Sequence, residues 1–140
     1  MRRFIVDTEG AAILGMARMG RRILLIEDEP HIAEAIRFFL ARDGWTVATH
    51  DNGLDALEVI RAQEPHVLVL DVMLPGRSGY EILADLRADA GLARLPVLVL
   101  SARGQEGERA RAEAAGASRF MAKPFANDAI LAALRDMAGS

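Results

Sequence analysis

The stretch Val67-Leu-Val-Leu-Asp-Val-Met-Leu-Pro75 decides the fold. Four apolar residues in a row leave no polar face, and the run stops abruptly at Asp71. A short segment that is apolar on both faces suits a central strand of a parallel sheet covered by helices on each side. Two other runs have the same form. Arg22-Ile-Leu-Leu-Ile26 ends in Glu27-Asp28-Glu29-Pro30, and Pro96-Val-Leu-Val-Leu100 ends in Ser101. Residues 45–49 alternate more and read as an edge strand. Residues 118–122, ending at Lys123-Pro124, read as the opposite edge.

Helical patterns lie between these runs. Ile32, Ile36, Phe39 and Leu40 share a face, with Pro30 suited to the first turn. Leu54, Leu57 and Ile60 repeat the pattern, with Asp51 or Asn52 as the expected cap. Ile82, Leu83 and Leu86 follow Ser78-Gly79. Ile130, Ala133, Leu134 and Met137 close the chain, with Asn127 as the expected cap. The segment 105–115 differs, because its apolar residues are all Ala. Ala favours helix but buries little area, so this helix should be the most weakly anchored of the five. Five β-α units with short right-handed crossovers predict an α/β, flavodoxin-like (βα)5 fold. This is a doubly wound parallel sheet of strand order 2-1-3-4-5.

A chain of 140 residues fits one domain. Without Cys it has no disulfide, Cys-ligated zinc, iron–sulfur cluster or thiol nucleophile. A formal net charge of −3 argues against a bulk basic nucleic-acid footprint. Residues 1–20 lie outside the β-α pattern and read as an N-terminal extension of unknown role, with the domain at 21–140. The extension is basic, but Asp7 and Glu9 interrupt any signal-peptide core, and the apolar run 11–17 is too short to span a bilayer. Met16 and Met19 are alternative starts; a short helix around 11–19 is the other reading. A soluble, cytoplasmic protein is expected.

In an open parallel sheet, ligands bind beyond the carboxyl ends of the strands. The predicted order brings Glu27, Asp28, Asp71, Ser101 and Lys123 to that edge. Each has a bland reading alone: a solvated acidic loop, a turn or helix cap, a surface lysine. Together they are complementary. Lys123 is also the one Lys among 17 basic residues. An ammonium suits a point contact with a phosphoryl oxygen where planar Arg would demand another geometry. Carboxylates this close repel one another, and a hard divalent cation such as Mg²⁺ relieves this. The acidic Glu27-Asp28-Glu29 loop excludes a flavin or nucleotide phosphate at that turn, which wants Gly and bare N–H groups.

These residues resemble the receiver domain of two-component response regulators, the CheY-like family, over about residues 21–138. The resemblance rests on residues 23–29, on 68–75 with Gly79, on 97–103, and on Phe120-Met-Ala-Lys-Pro-Phe125. It implies that Asp71 accepts a phosphoryl group from a phosphohistidine on a sensor histidine kinase. It implies Mg²⁺ held directly by Asp28 and Asp71, mainly through water by Glu27, and by the backbone carbonyl of Met73. Ser101 would hydrogen-bond the phosphoryl group and Lys123 would pair with it. Phe120 matches the family's switch aromatic, often Tyr, and lacking a hydroxyl it is expected to lie inward. The weakly anchored fourth helix would be the bistable element. Met73 and Arg103 occupy the positions that tune phosphoryl lifetime; both are bulky, which implies slow self-hydrolysis. Ser101 replaces the commoner Thr, and Arg77 stands where many relatives are apolar.

If the chain is complete, with Gly139-Ser140 after the last helix, the expected output is docking of a downstream protein through the face of helix 4, strand 5 and helix 5; if it is part of a longer chain, the output lies outside it. Relay to a histidine phosphotransfer protein is the other output, and a second copy of the chain is a further candidate partner. Neither direct nucleic-acid contact nor membrane insertion is expected. The chain is not expected to be an enzyme on outside substrates. A haloacid-dehalogenase-type hydrolase would carry a second Asp two residues after the nucleophile, where this chain has Met73. A non-phosphorylated pseudo-receiver is the remaining alternative, which the intact polar set disfavours.

Overall fold

A computed structural model describes residues 20–102 and 107–139. The expected extension at 1–20 therefore lies outside the described residues except for Gly20, as do Arg103 and the start of the 105–115 segment. Five strands are present: β1 (Arg22–Ile26), β2 (Thr46–His50), β3 (Val67–Asp71), β4 (Val97–Ser101) and β5 (Arg119–Ala122). They form one parallel sheet in the order β2-β1-β3-β4-β5, as the apolar runs predict. Five helices alternate with them: α1 (Pro30–Arg42), α2 (Ala56–Gln63), α3 (Gly79–Ala88), α4 (Glu108–Ala115) and α5 (Asn127–Met137).

Strand side chains alternate between two cores. Leu24, Ile26, Leu68, Leu70, Val97 and Val99 pack under α2, α3 and α4. Ile23, Leu25, Val67, Val69, Leu98 and Leu100 pack under α1 and α5. Both faces of β1, β3 and β4 are thus covered, which is why these runs carry no polar alternation. The outer strand β2 is half-buried, in keeping with an edge.

Two helix starts, those of α2 and α5, differ from the sequence reading. Glu29 caps α1, its carboxylate accepting the His31 N–H, with Pro30 in the first turn. The second helix begins later than its apolar pattern suggests. Its N-cap residue is Asp55, which makes no side-chain cap, and Leu54 is 73% exposed rather than on the buried face. Asn52 instead accepts the Leu54 N–H at 2.6 Å, stabilising the preceding turn, and Asp51 is not the cap. Asn127 is the first residue of α5 rather than its cap, which is Ala126. Ser78 caps α3 through a reciprocal capping box with Glu81.

The loop from β3 into α3 is tight. A Cβ on Gly79 would lie 2.5 Å from the Asp71 carbonyl oxygen and 2.9 Å from the Val72 Cα. Both obstacles are backbone, so the loop itself would have to move. Gly79→Ala is expected to lower the unfolding free energy by about 1–3 kcal/mol. In urea melts the midpoint should fall with the slope unchanged.

Candidate functional site

Backbone pairing continues past several strand ends and sets the polar side chains in place. The Glu27 N–H donates to the His50 carbonyl at 2.9 Å, Val72 to Leu100 at 3.0 Å, and Lys123 to Ser101 at 2.8 Å. Asp71 and Ser101 are themselves the last residues of buried strands. The rigid sheet therefore delivers Glu27, Asp71, Ser101 and Lys123 to one edge. The Lys123–Pro124 peptide there is cis.

Lys123 bridges two carboxylates. Its Nζ lies 2.7 Å from Glu27 Oε1 and 3.4 Å from Asp71 Oδ1. The second Glu27 oxygen accepts the Glu29 N–H at 3.0 Å, so a side chain only 1% exposed has partners on both oxygens. One carboxylate oxygen each from Glu27, Asp28 and Asp71 lie within 4.8 Å of one another, with Asp28 on the solvent side. Burial and then the Glu27 charge push the Asp71 carboxyl up from about 3.8 to about 6, against the opposing pull of Lys123 and the Met73 backbone N–H. Burial is the largest single effect on Lys123 and lowers it. The hydrogen bond to Glu27 and the charges of Asp71 and Glu27 outweigh it, leaving the ammonium net raised.

The remaining predicted residues are placed as follows. Met73 donates its N–H to Asp71, and its side chain is 51% exposed. Ser101 is fully buried, and its Oγ lies 3.4 Å from Glu108 Oε1 on α4. Phe120 is 8% exposed, inside the core under α4, with the Arg109 guanidinium 5.2 Å from its ring centroid. Arg77 is held by an ion pair to Asp85 on α3. Arg103 is not among the described residues.

Two contacts were not legible in the sequence. The Glu27–Lys123 pair joins residues 96 positions apart. Glu108 is buried and accepts hydrogen bonds from Tyr80 and Ser101. Its one local signal is a spacing of four from Ala112, which places both on the inner face of α4.

Three clustered carboxylates, one of them raised by burial and by the Glu27 charge, form an all-oxygen donor set that fits a hard divalent cation such as Mg²⁺. Residues 23–135 match the response regulator receiver domain. The chain belongs to this family. The response regulator MprA of Mycobacterium ulcerans is 40% identical over 117 residues, covering 84% of this chain and 50% of that protein. The chain thus spans about half the length of the curated relatives it matches. Among solved structures, the BeF3-activated N-terminal receiver domain of Klebsiella pneumoniae RstA superposes with a TM-score of 0.81 at 28% identity, over 86% of this chain and all of that one. A putative response regulator from Chloroflexus aurantiacus gives 0.82 at 28% identity, over 86% and 98%. The receiver domain is accordingly one of two-component signalling. Among its described residues no helix is long and apolar enough to cross a membrane.

The raised Asp71 carboxyl has a consequence for stability. Between pH 4 and 6 the folded chain binds more protons here than the unfolded chain. The stabilisation is complete below the unfolded value and is lost as pH rises through about 6. With metal chelated, Asp71→Asn should therefore be more stable than the parent at pH 7.5, on the order of 2 kcal/mol. Urea melts across pH should show the difference closing below pH 4.

Proposed function

We propose that Asp71 is the phosphoryl acceptor of this receiver, taking its phosphoryl group from a phosphohistidine on a sensor histidine kinase or a histidine phosphotransfer protein. The observation that carries this is the single Lys of the chain, set 3.4 Å from Asp71 beside three converging carboxylates. An Asp71 oxygen attacks phosphorus, and an O–P bond forms. The N–P bond to the donor imidazole breaks, and the imidazole leaves with the bonding pair.

Phosphoryl transfer needs little covalent help from the protein, so positioning and charge neutralisation dominate. Glu27, Asp28, Asp71 and the Met73 carbonyl are the groups that would hold Mg²⁺. When bound, Mg²⁺ neutralises charge on the phosphoryl oxygens. Lys123 supplies the opposing positive charge, and its ion pair with Glu27 keeps it aimed at Asp71. Ser101 donates its hydroxyl to a phosphoryl oxygen. Phe120 and α4 then carry the change to the face made by α4, β5 and α5, where a downstream protein, or a second copy of the chain, docks. One phosphoryl group is taken per Asp71, without turnover of outside substrates. A kinase donor that is itself charged by ATP puts the exchange in the cytoplasm.

Beryllofluoride with Mg²⁺ mimics the acyl phosphate and tests the reading directly. The parent is expected to bind it and Asp71→Ala to lose binding altogether; equal binding by both sinks the assignment. After incubation with acetyl phosphate, mass spectrometry should find the adduct on Asp71. Its lifetime should exceed minutes, because Met73, two residues past the acceptor, and Arg103, two past Ser101, are bulky residues at the positions that tune water access in the family.

A further inference from the structure

The helix α4 is held to the sheet in an unusual way. Its buried residues are Glu108 and Ala112, a carboxylate and one methyl group. Its other ties reach the residues around the proposed switch. Glu108 Oε1 accepts the Tyr80 hydroxyl and lies 3.4 Å from Ser101 Oγ. The Arg111 guanidinium stacks 4.1 Å from the Tyr80 ring centroid, and Arg109 lies 5.2 Å from that of Phe120. The first turn of α4 is thus anchored by polar and cation–π contacts rather than by an apolar stripe.

We propose that Glu108 is a positioning residue that holds the Ser101 hydroxyl toward α4 and competes with the phosphoryl group for it. This rests on Asp71 being the phosphoryl acceptor. A serine hydroxyl carries one proton and donates one hydrogen bond at a time. In the unphosphorylated chain that proton has an acceptor in Glu108. A phosphoryl group on Asp71, at the end of the neighbouring strand β3, offers a competing acceptor. When Ser101 turns to it, a buried carboxylate loses a donor, which is costly inside a protein. The cost falls on the first turn of α4, where Ala112 is the one buried apolar residue. Glu108 therefore sets how tightly the phosphoryl group holds Ser101 and passes the exchange to α4. Tyr80 acts as the counterweight: its hydroxyl shares the same carboxylate oxygen and weakens the carboxylate's hold on Ser101.

Beryllofluoride affinity at saturating Mg²⁺, measured by calorimetry, tests the competition. Glu108→Ala removes this competing acceptor and should tighten binding about threefold to tenfold, a modest effect because the Ser101 contact is long. Glu108→Gln keeps an acceptor and should tighten it less. Tyr80→Phe should weaken binding about twofold, by leaving the carboxylate more available to Ser101. In a Ser101→Ala background all three shifts should vanish, which a merely structural role for Glu108 would not produce. Unchanged or weaker binding by Glu108→Ala, or equal shifts with and without the Ser101 hydroxyl, overturns the proposal. If Glu108→Ala does not fold, Glu108→Gln and Tyr80→Phe decide it, and the absence of opposite-signed shifts overturns it. A parent chain that binds no beryllofluoride refutes the phosphoryl-acceptor reading, and this proposal with it. A parent that binds normally beside an inert Glu108→Ala refutes this proposal alone.

Discussion

Carboxylates crowded at one edge of a sheet repel one another, and the structure depends on how that repulsion is contained. Lys123 lies between Glu27 and Asp71 and offsets part of it. Burial, and then the part of the Glu27 repulsion that Lys123 leaves, push the Asp71 carboxyl up to about 6. A site left short of positive charge in this way is poised to take a cation. The strain is sustained because each acid stands at the end of, or directly after, a strand buried on both faces, where side chains pack too closely to drift apart.

The same edge joins chemistry to motion. Ser101 ends a strand with no exposed residue, so its backbone is fixed and the choice open to it is where its hydroxyl points. The helix that shares this hydroxyl has little apolar anchoring of its own. Elements with few buried apolar contacts lie at the low-stability end of a fold, and such elements move most readily. The large core beneath α3 and the thin contact beneath α4 are complementary in that respect.

The strands were legible because their pattern was extreme. Runs such as Val67–Leu70 admit one arrangement, covered on both sides, and the polar residue ending each run named the functional edge. The helix starts were less legible. Apolar periodicity carried Leu54 into a helix that begins at Ala56, since an exposed leucine in a turn matches the repeat as well as a buried one. Asn127 looked like a cap because capping residues also occur inside the first turn. The proposed site residues could be named in advance because each lies at or just past a strand end, where position in the chain and position in space coincide.

The sequence by itself determined the parallel sheet and the polar residues that end its strands, because these follow from local periodicity, and it pointed to the strand order through the recurring doubly wound arrangement. Tertiary structure alone decided how those residues pair. Nothing within a few positions of Glu27 announces Lys123, and nothing near Ser101 distinguishes Glu108 from any exposed acid on an alanine-rich helix. The first pairing exists because the sheet brings the ends of β1 and β5, distant in sequence, to one edge, and the second because the first turn of α4 turns its inner face back to the end of β4; the charge and hydrogen-bonding of a buried group are set by what lies across the gap.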